Sequence, residues 1–398
     1  MSRPKAAAFL ATSALALLAV PAHAATSAAP AAASAQGHAF PVPPPPTLKA
    51  GAYILVDYDT GRVLASRNAD ERLPMASLTK LMTAYIVFSA LKAGRLTLDE
   101  PVTISKAAWR TGGSRMFVNV GSQVPVIDLL KGMIVESGND ATVALAQKVG
   151  GTRAGFVQMM NTYAQRLGLA STHYMDVDGL PQPDHYTTAR DLATLTAALI
   201  RDFPQYYFIF KIRKFTWDHI TQRNRVTLLW TDPSVDGLKT GHTDAAGYCL
   251  IASALRHGMR LVSVVLGAPS WDNRLSDSEA LLNYGYNFFQ TEKVAVARQP
   301  VLRPRVYESS IEYAPIGTAS DLYVTVPRGG AGSLKTTARV TNPPLIAPIA
   351  AGQVVGELTV TDGAQVIDRR PLITLGPVPE GGFLTRSTDG LKLWLRRW

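Results

Sequence analysis

The sequence predicts two domains: a mixed helix-and-sheet (α+β) domain over residues 49–292, then a small all-β domain over residues 293–379. Three observations lead there. At 398 residues the chain exceeds one ordinary domain, and its first part is long enough to bury a substantial core. Strand-like apolar runs stand at both ends of that first part with helical patterns between them, as in one sheet built from both ends and covered by helices. From about residue 294 the texture changes to short runs alternating apolar and polar residues, punctuated by Gly, Pro and Asn, the mark of a β domain.

Taken in order, Arg3 and Lys5 precede an apolar run that ends in Pro21-Ala22-His23-Ala24. A basic start, a short apolar middle and an Ala-x-Ala exit make residues 1–24 a secretory signal peptide. The run is too short to span a bilayer. Residues 25–48 are rich in Ala, Ser and Pro and read as a linker without a core. Tyr53-Ile54-Leu55-Val56 and Val63-Leu64-Ala65 flank a turn at Gly61 and form a hairpin. The stretch from Ser77 to Phe88 is apolar nearly all round, which suits a buried helix. Helical patterns follow at 126–135, 141–149, 155–167 and 189–200. Strands are expected at 246–255 and 259–267, and an amphipathic helix at 271–289.

In the second domain Leu322, Val324 and Val326 alternate with polar residues, as do 355–360 and 366–375. The tail, 380–398, differs again. Phe383, Leu384, Leu391, Trp394, Leu395 and Trp398 fall on one side of a helix, with Lys392, Arg396 and Arg397 elsewhere. Such a helix suits the plane of an anionic membrane surface, though docking on its own protein remains open, and Asp389 and Gly390 weaken the helix.

Cys249 is the single cysteine, so no internal disulfide forms, and its apolar setting makes it a small buried hydrophobe. The 7 histidines show no metal-ligand spacing, so neither metal nor other cofactor is expected. The formal net charge of +10 is partly carried by the two ends. No nucleic-acid motif or basic stripe with interleaved aromatics is present, so no nucleic-acid partner is expected.

The chemistry begins at Ser77-Leu78-Thr79-Lys80. Three-residue spacing sets both side chains on one helix face. Serine needs a base within hydrogen-bond reach, and lysine serves when burial or a nearby cation lowers its pKa. Alone, the tetrad reads first as a helix N-cap, and Ser2/Lys5 and Ser89/Lys92 repeat the spacing. Two further motifs follow in order, Ser137-Gly138-Asn139 and Lys239-Thr240-Gly241. Together the three form the signature of penicillin-recognising serine acyl-transferases.

With Glu136 and Asp140-Ala141 around the second motif, and Gly237-Leu238, His242-Thr243-Asp244 and Ala246-Gly247-Tyr248 around the third, the chain resembles the low-molecular-weight penicillin-binding proteins that are D-alanyl-D-alanine carboxypeptidases. The resemblance runs from about residue 50 to 375. It implies the penicillin-binding/β-lactamase-like fold, an antiparallel sheet with a helical cluster. It implies that Ser77 attacks the peptide carbonyl, that Lys80, kept neutral by burial and by Lys239, takes the proton, and that Ser137 relays one. It implies that Asn139 holds the substrate amide and that Lys239, Thr240 and Arg225 bind the terminal carboxylate. Gly241, without a side chain, would leave room for a backbone approaching the substrate, and the resemblance implies that the N–H groups of Ser77 and His242 form the oxyanion hole. Arg115 and Met116 fall in a segment that the family places beside the site. Peptidoglycan stem pentapeptides would be substrates and β-lactams covalent inhibitors. The protein would be periplasmic, peripheral to the outer face of the cytoplasmic membrane. A D,D-endopeptidase needs the same chemistry. A β-lactamase is disfavoured because no Glu lies between Glu136 and Glu279, and a non-enzymatic binding protein because all three motifs are intact.

Overall fold

The computed structural model describes residues 41–395. The expected signal peptide, most of the linker, and Arg396, Arg397 and Trp398 lie outside the described residues.

The first domain opens with the hairpin β1 (Ala52–Asp57) and β2 (Val63–Arg67). A 3-10 turn, Ala76–Thr79, runs into α1 (Lys80–Lys92), buried on nearly every side as its unbroken apolar sequence requires. Next come β3 (Pro101–Thr103), α2 (Lys106–Trp109), β4 (Gln123–Pro125), α3 (Val126–Val135), α4 (Asn139–Gly150), α5 (Arg153–Arg166) and α6 (Ala189–Asp202). Ser105, Thr152 and Thr188 cap α2, α5 and α6 by accepting a backbone N–H. A small hairpin, β5 (Lys214–Trp217) and β6 (Ile220–Arg223), and α7 (Leu228–Thr231) precede the strands β7 (Val235–Thr243), β8 (Gly247–Arg256) and β9 (Met259–Ala268). The helix α8 (Trp271–Phe288), capped by Ser270, closes the domain.

The order of the main sheet is β2-β1-β9-β8-β7, antiparallel throughout, so chain ends far apart in sequence meet in one sheet. One row across it reads Ile54, Val264, Ile251, Lys239. The first three belong to the larger apolar core, shared with α1 and the helices around it, so the pleat puts Lys239 on the helical face of edge strand β7. A second core joins the opposite face of the sheet to α8.

The later part follows α8 without a break: β10 (Phe289–Ala295), β11 (Val306–Tyr307), β12 (Ile316–Gly317), β13 (Leu322–Pro327), β14 (Leu334–Val340), β15 (Leu345–Ile346), β16 (Val354–Asp362) and β17 (Gln365–Thr374). Its sheet runs β12-β17-β16-β14, β13 pairs with β10, and its own core holds Val324, Leu358, Val360 and Leu372. The tail is helical, α9 (Phe383–Leu395). Asp389, expected to weaken it, anchors it instead: its carboxylate accepts the Glu308 N–H at 3.0 Å and meets Lys392 at 3.0 Å and Arg305 at 3.5 Å. No described helix is long and apolar enough to cross a membrane.

Candidate active site

Ser77 lies on the 3-10 turn that precedes α1, not within the helix proper. Two glycines press close on that turn. Gly179 has φ +90°, and a Cβ there would come within 2.0 Å of the Ala76 carbonyl oxygen. On β7, a Cβ at Gly241 would sit 3.1 Å from the Met75 oxygen and 3.2 Å from the Ala76 Cβ. Gly241 therefore lets the edge strand press on the turn that carries Ser77, a different use of its bareness from the close substrate approach that the sequence suggests. A hydrogen-bond chain fixes the same turn. The Met175 N–H donates to His185 Nδ1 at 3.0 Å, so Nε2 carries the proton and donates to Thr79 Oγ1 at 2.8 Å. Thr79 in turn donates to the Ala76 carbonyl at 2.7 Å. Burial depresses the His185 pKa to about 4, which keeps the ring neutral in that role.

Each motif lysine meets a motif serine. Lys80 Nζ lies 2.9 Å from Ser77 Oγ and donates to the Asp178 main-chain oxygen at 2.5 Å. Lys239 Nζ donates to Ser137 Oγ at 2.9 Å and to the Thr240 carbonyl at 3.0 Å. Both lysines are buried. Burial is the main force lowering Lys80, to about 8; Asp178 and Asp176 oppose it and Arg225 adds to it. Burial also pushes Lys239 well below the ordinary lysine range, with Lys80 and Arg225 adding repulsion.

Ser137 sits in the left-handed region, φ 67°, which turns its hydroxyl out of the α3–α4 junction toward Lys239. Asn139 starts α4; its N–H donates to the Ser114 oxygen at 2.7 Å and its Nδ2 to the Gly112 oxygen at 2.7 Å. Its Oδ1 is buried and has no hydrogen-bond partner among the described residues. Asp140 pins the same loop by accepting the N–H groups of Met116 and Phe117 at 2.8 Å each.

These elements border a cleft of about 750 Å³ lined by Ser77, Ser137, Thr240, Gly241, His242 and Arg225, and further by Ser114, Arg223, Trp230, Tyr248, Trp271 and Arg274. Lys80, Asn139 and Lys239 stand behind this lining and touch it through the serines and the 112–114 loop. Thr240, Arg223, Arg225 and Arg274 thus line the cleft, while Lys239 is turned toward Ser137. The His242 ring is exposed and lies 4.0 Å from the Tyr248 ring, centroid to centroid. Arg223 covers the Trp230 ring at 4.2 Å. Trp230, Trp271 and Arg274 were not expected from the sequence; each lies near an element end with no motif of its own.

A second group missed by sequence reading lies behind Lys80. Asp176 Oδ1 accepts the N–H groups of Asp178 and Gly179 at 2.7 and 3.0 Å, and its Oδ2 pairs with Arg153 at 2.7 Å. Burial opposes its ionisation, but those hydrogen bonds and Arg153 hold it down to about 2. Burial and then Asp176 push Asp178 up to about 7. No group of three or more metal-ligating side chains occurs among the described residues.

Known proteins resemble this chain in sequence and fold. Residues 39–270 match the D-alanyl-D-alanine carboxypeptidase family (Peptidase S11), and residues 289–380 match the C-terminal domain of penicillin-binding protein 5. The chain is 44% identical to D-alanyl-D-alanine carboxypeptidase DacC of Escherichia coli over 89% of this chain and 90% of that protein. Identity to DacA of the same organism is 42%, over 90% of each chain. Penicillin-binding protein 5 from Haemophilus influenzae superposes with a TM-score of 0.79 at 40% identity, covering 84% of this chain and 99% of that one. Penicillin-binding protein D2 from Listeria monocytogenes, solved in an ampicillin-bound form, superposes with a TM-score of 0.57 at 32% identity over 61% of this chain and all of that one. Matched across both domains, this chain belongs to the serine-type D-alanyl-D-alanine carboxypeptidase family and is an enzyme of that activity.

Proposed function

We propose that Ser77 is the nucleophile and Lys80 the base of this carboxypeptidase, acting on the terminal D-Ala-D-Ala bond of peptidoglycan stem pentapeptides. The observation that carries the reading is the pairing of two buried lysines with two serines, Lys80–Ser77 and Lys239–Ser137, each at 2.9 Å, with both hydroxyls on one cleft. Neutral Lys80 accepts the Ser77 proton as Oγ attacks the carbonyl carbon. Ser137, polarised by Lys239, relays to the departing D-alanine amine the proton that Lys80 took from Ser77. The N–H groups of Ser77 and His242 receive the oxyanion, a role worth about 2.7–4 kcal/mol per donor. Asn139 orients the substrate amide, and Thr240 with Arg225 receives the terminal carboxylate. Gly241 keeps β7 close to the nucleophile turn. Water then attacks the Ser77 ester, the bond to Oγ breaks, Oγ regains a proton, and the tetrapeptide leaves with a free carboxylate.

β-Lactams would acylate the same serine, as the ampicillin-bound Listeria relative suggests. Two measurements test the reading. Wild type releases D-alanine from a stem pentapeptide, and Ser77→Ala abolishes both that release and covalent labelling by a fluorescent penicillin. Persistent labelling in the variant would sink the assignment of Ser77. Release of monomer from a cross-linked dimer without D-alanine release would favour the endopeptidase instead.

We also infer a division into a catalytic domain, 49–292, and a β domain, 293–379, and a site of action at the outer face of the cytoplasmic membrane. The expected signal peptide supports export. The tail supports surface attachment: Phe383, Leu384, Leu391, Trp394 and Leu395 are all exposed on α9, beside Arg386 and Lys392. Full-length protein should co-sediment with vesicles containing anionic lipid, less so at high salt. A chain ending at residue 381 should stay in the supernatant; equal sedimentation of both would refute the attachment.

A further inference from the structure

We propose that the Asp178 carboxylate sets how readily Lys80 gives up its proton, acting through Lys80 and never on substrate. Its backbone is in direct contact with the base, through the 2.5 Å hydrogen bond from Lys80 Nζ to the Asp178 carbonyl oxygen. Its side chain is 1% exposed. Oδ1 receives only a long hydrogen bond from the Leu180 N–H, at 3.4 Å, and Oδ2 has no hydrogen-bond partner among the described residues. Arg153 is 3.9 Å from Oδ2 but turned to Asp176, which it holds at 2.7 Å.

The two neighbouring carboxylates are therefore unequal. Asp176 is satisfied by two backbone N–H groups and a guanidinium. Asp178 has nothing comparable, and a buried carboxylate in that state is costly unless it takes up a proton or faces a cation. Two cations act on it: Lys80, bonded to the same residue's main-chain oxygen, and Arg153, 3.9 Å from Oδ2.

The charged groups around Lys80 fall on two sides. Arg225, from the segment between β6 and α7, stands on the cleft side and favours loss of the proton. Asp178 and Asp176, from the loop before α6, and Asp140, on α4, favour its retention. Arg153, on α5, tempers the two loop carboxylates. Of the carboxylates, Asp178 acts most strongly on Lys80. Burial and Arg225 alone would leave Lys80 easily deprotonated and weak as a base. Asp178 holds its basicity near the working pH, where general-base catalysis is most effective.

The catalytic consequence rests on the reading of Lys80 as the base, so the experiment separates the two. Protein labelled with 13C at lysine Cε is titrated by NMR, the Lys80 signal being the one that vanishes in Lys80→Arg. In parallel, the rate of acylation by a chromogenic cephalosporin is followed against pH. Asp178→Asn keeps the size and the acceptor for Leu180 N–H while removing the charge. The Lys80 midpoint should fall by about one unit, the low end for loss of a neighbouring opposite charge. The acidic limb of the acylation profile should fall with it. An unchanged Lys80 midpoint overturns the proposal. A midpoint that falls while the kinetic limb stays in place upholds it and overturns Lys80 as the base. Should Asp178→Asn not fold, Arg153→Gln serves, because losing that guanidinium favours protonation of Asp178. The Lys80 midpoint should again fall, by less, and no fall in that variant would equally overturn the proposal.

Discussion

Glu136 precedes the second motif, and its carboxyl is buried against the β5–β6 hairpin. Gln222 donates to its Oε2 and also to the Arg115 carbonyl, at 3.0 Å, while Oε1 has no partner among the described residues. Burial, reinforced by Asp140 and opposed by Arg225, raises the Glu136 pKa to about 8, so the group is protonated at neutral pH. The sign of the linkage follows. A folded-state pKa above the usual 4.5 means the folded protein holds this proton more tightly than the unfolded chain. The associated stability is fully present below about pH 4.5 and is lost as pH rises through about 8. Glu136→Gln keeps the shape and an acceptor for Gln222 without the ionisation. Thermal unfolding from pH 5 to pH 9 should therefore lower Tm more in wild type than in Glu136→Gln. Parallel Tm curves would show that Glu136 is ionised in the fold.

At the scale of elements, the site is a set of close approaches that place the 3-10 turn before α1. Gly179 is the tightest. Any Cβ there would meet the Ala76 oxygen at 2.0 Å and carbon at 2.4 Å, both backbone, and would also strain a φ of +90°. Gly179→Ala must move either its own loop or the turn that carries Ser77. Acylation by a fluorescent penicillin should fall by roughly 10²-fold, the cost of about an ångström of misplacement. Gly241→Ala meets its neighbours at 3.1–3.3 Å and should lose less. A Gly179→Ala enzyme as fast as wild type would mean that the loop yields without moving Ser77. These contacts mark the limit of what the sequence discloses. The buried α1 and the strands β8, β9, β13, β16 and β17 are legible from unbroken or alternating apolar runs, and the three motifs from their order. The β5–β6 hairpin is not, because Lys214–Trp217 and Ile220–Arg223 are four-residue strands, the second mostly exposed, with only Phe215 and Trp217 of the first packed against the core. Asp176, Asp178 and His185 carry no local signal either. Their role comes from a loop that returns to Lys80 and Thr79 about a hundred residues later, and only the fold creates that proximity.

For the whole molecule, the open matter is how the β domain is held to the catalytic domain, and Asp57 is the hub. Fully buried at the end of β1, it accepts hydrogen bonds from Thr291 on β10 and, at 2.8 Å, from Thr325 on β13. Thr325 also meets the Thr60 hydroxyl at 2.5 Å, and Arg62 donates to its carbonyl at 2.5 Å. One carboxylate at the end of a core strand thus gathers the first two long strands of the β domain. The tail helix is fixed to that domain in the same manner by Asp389, so the bearing of α9 relative to the cleft passes through both acids. Asp57→Ala takes the acceptor from the half-buried Thr291 hydroxyl and leaves the buried Thr325 hydroxyl only its Thr60 partner, at about 1–3 kcal/mol for a group left unpaired. The cost falls on the junction and not on the cleft, since none of the cleft-lining residues touches Asp57. The variant should be cut faster than wild type by trypsin between residues 288 and 300, while its acylation by a fluorescent penicillin proceeds at the wild-type rate. Slower acylation with an uncut junction would mean that Asp57 supports the catalytic core itself, and that the β domain is held by its apolar contacts with α8.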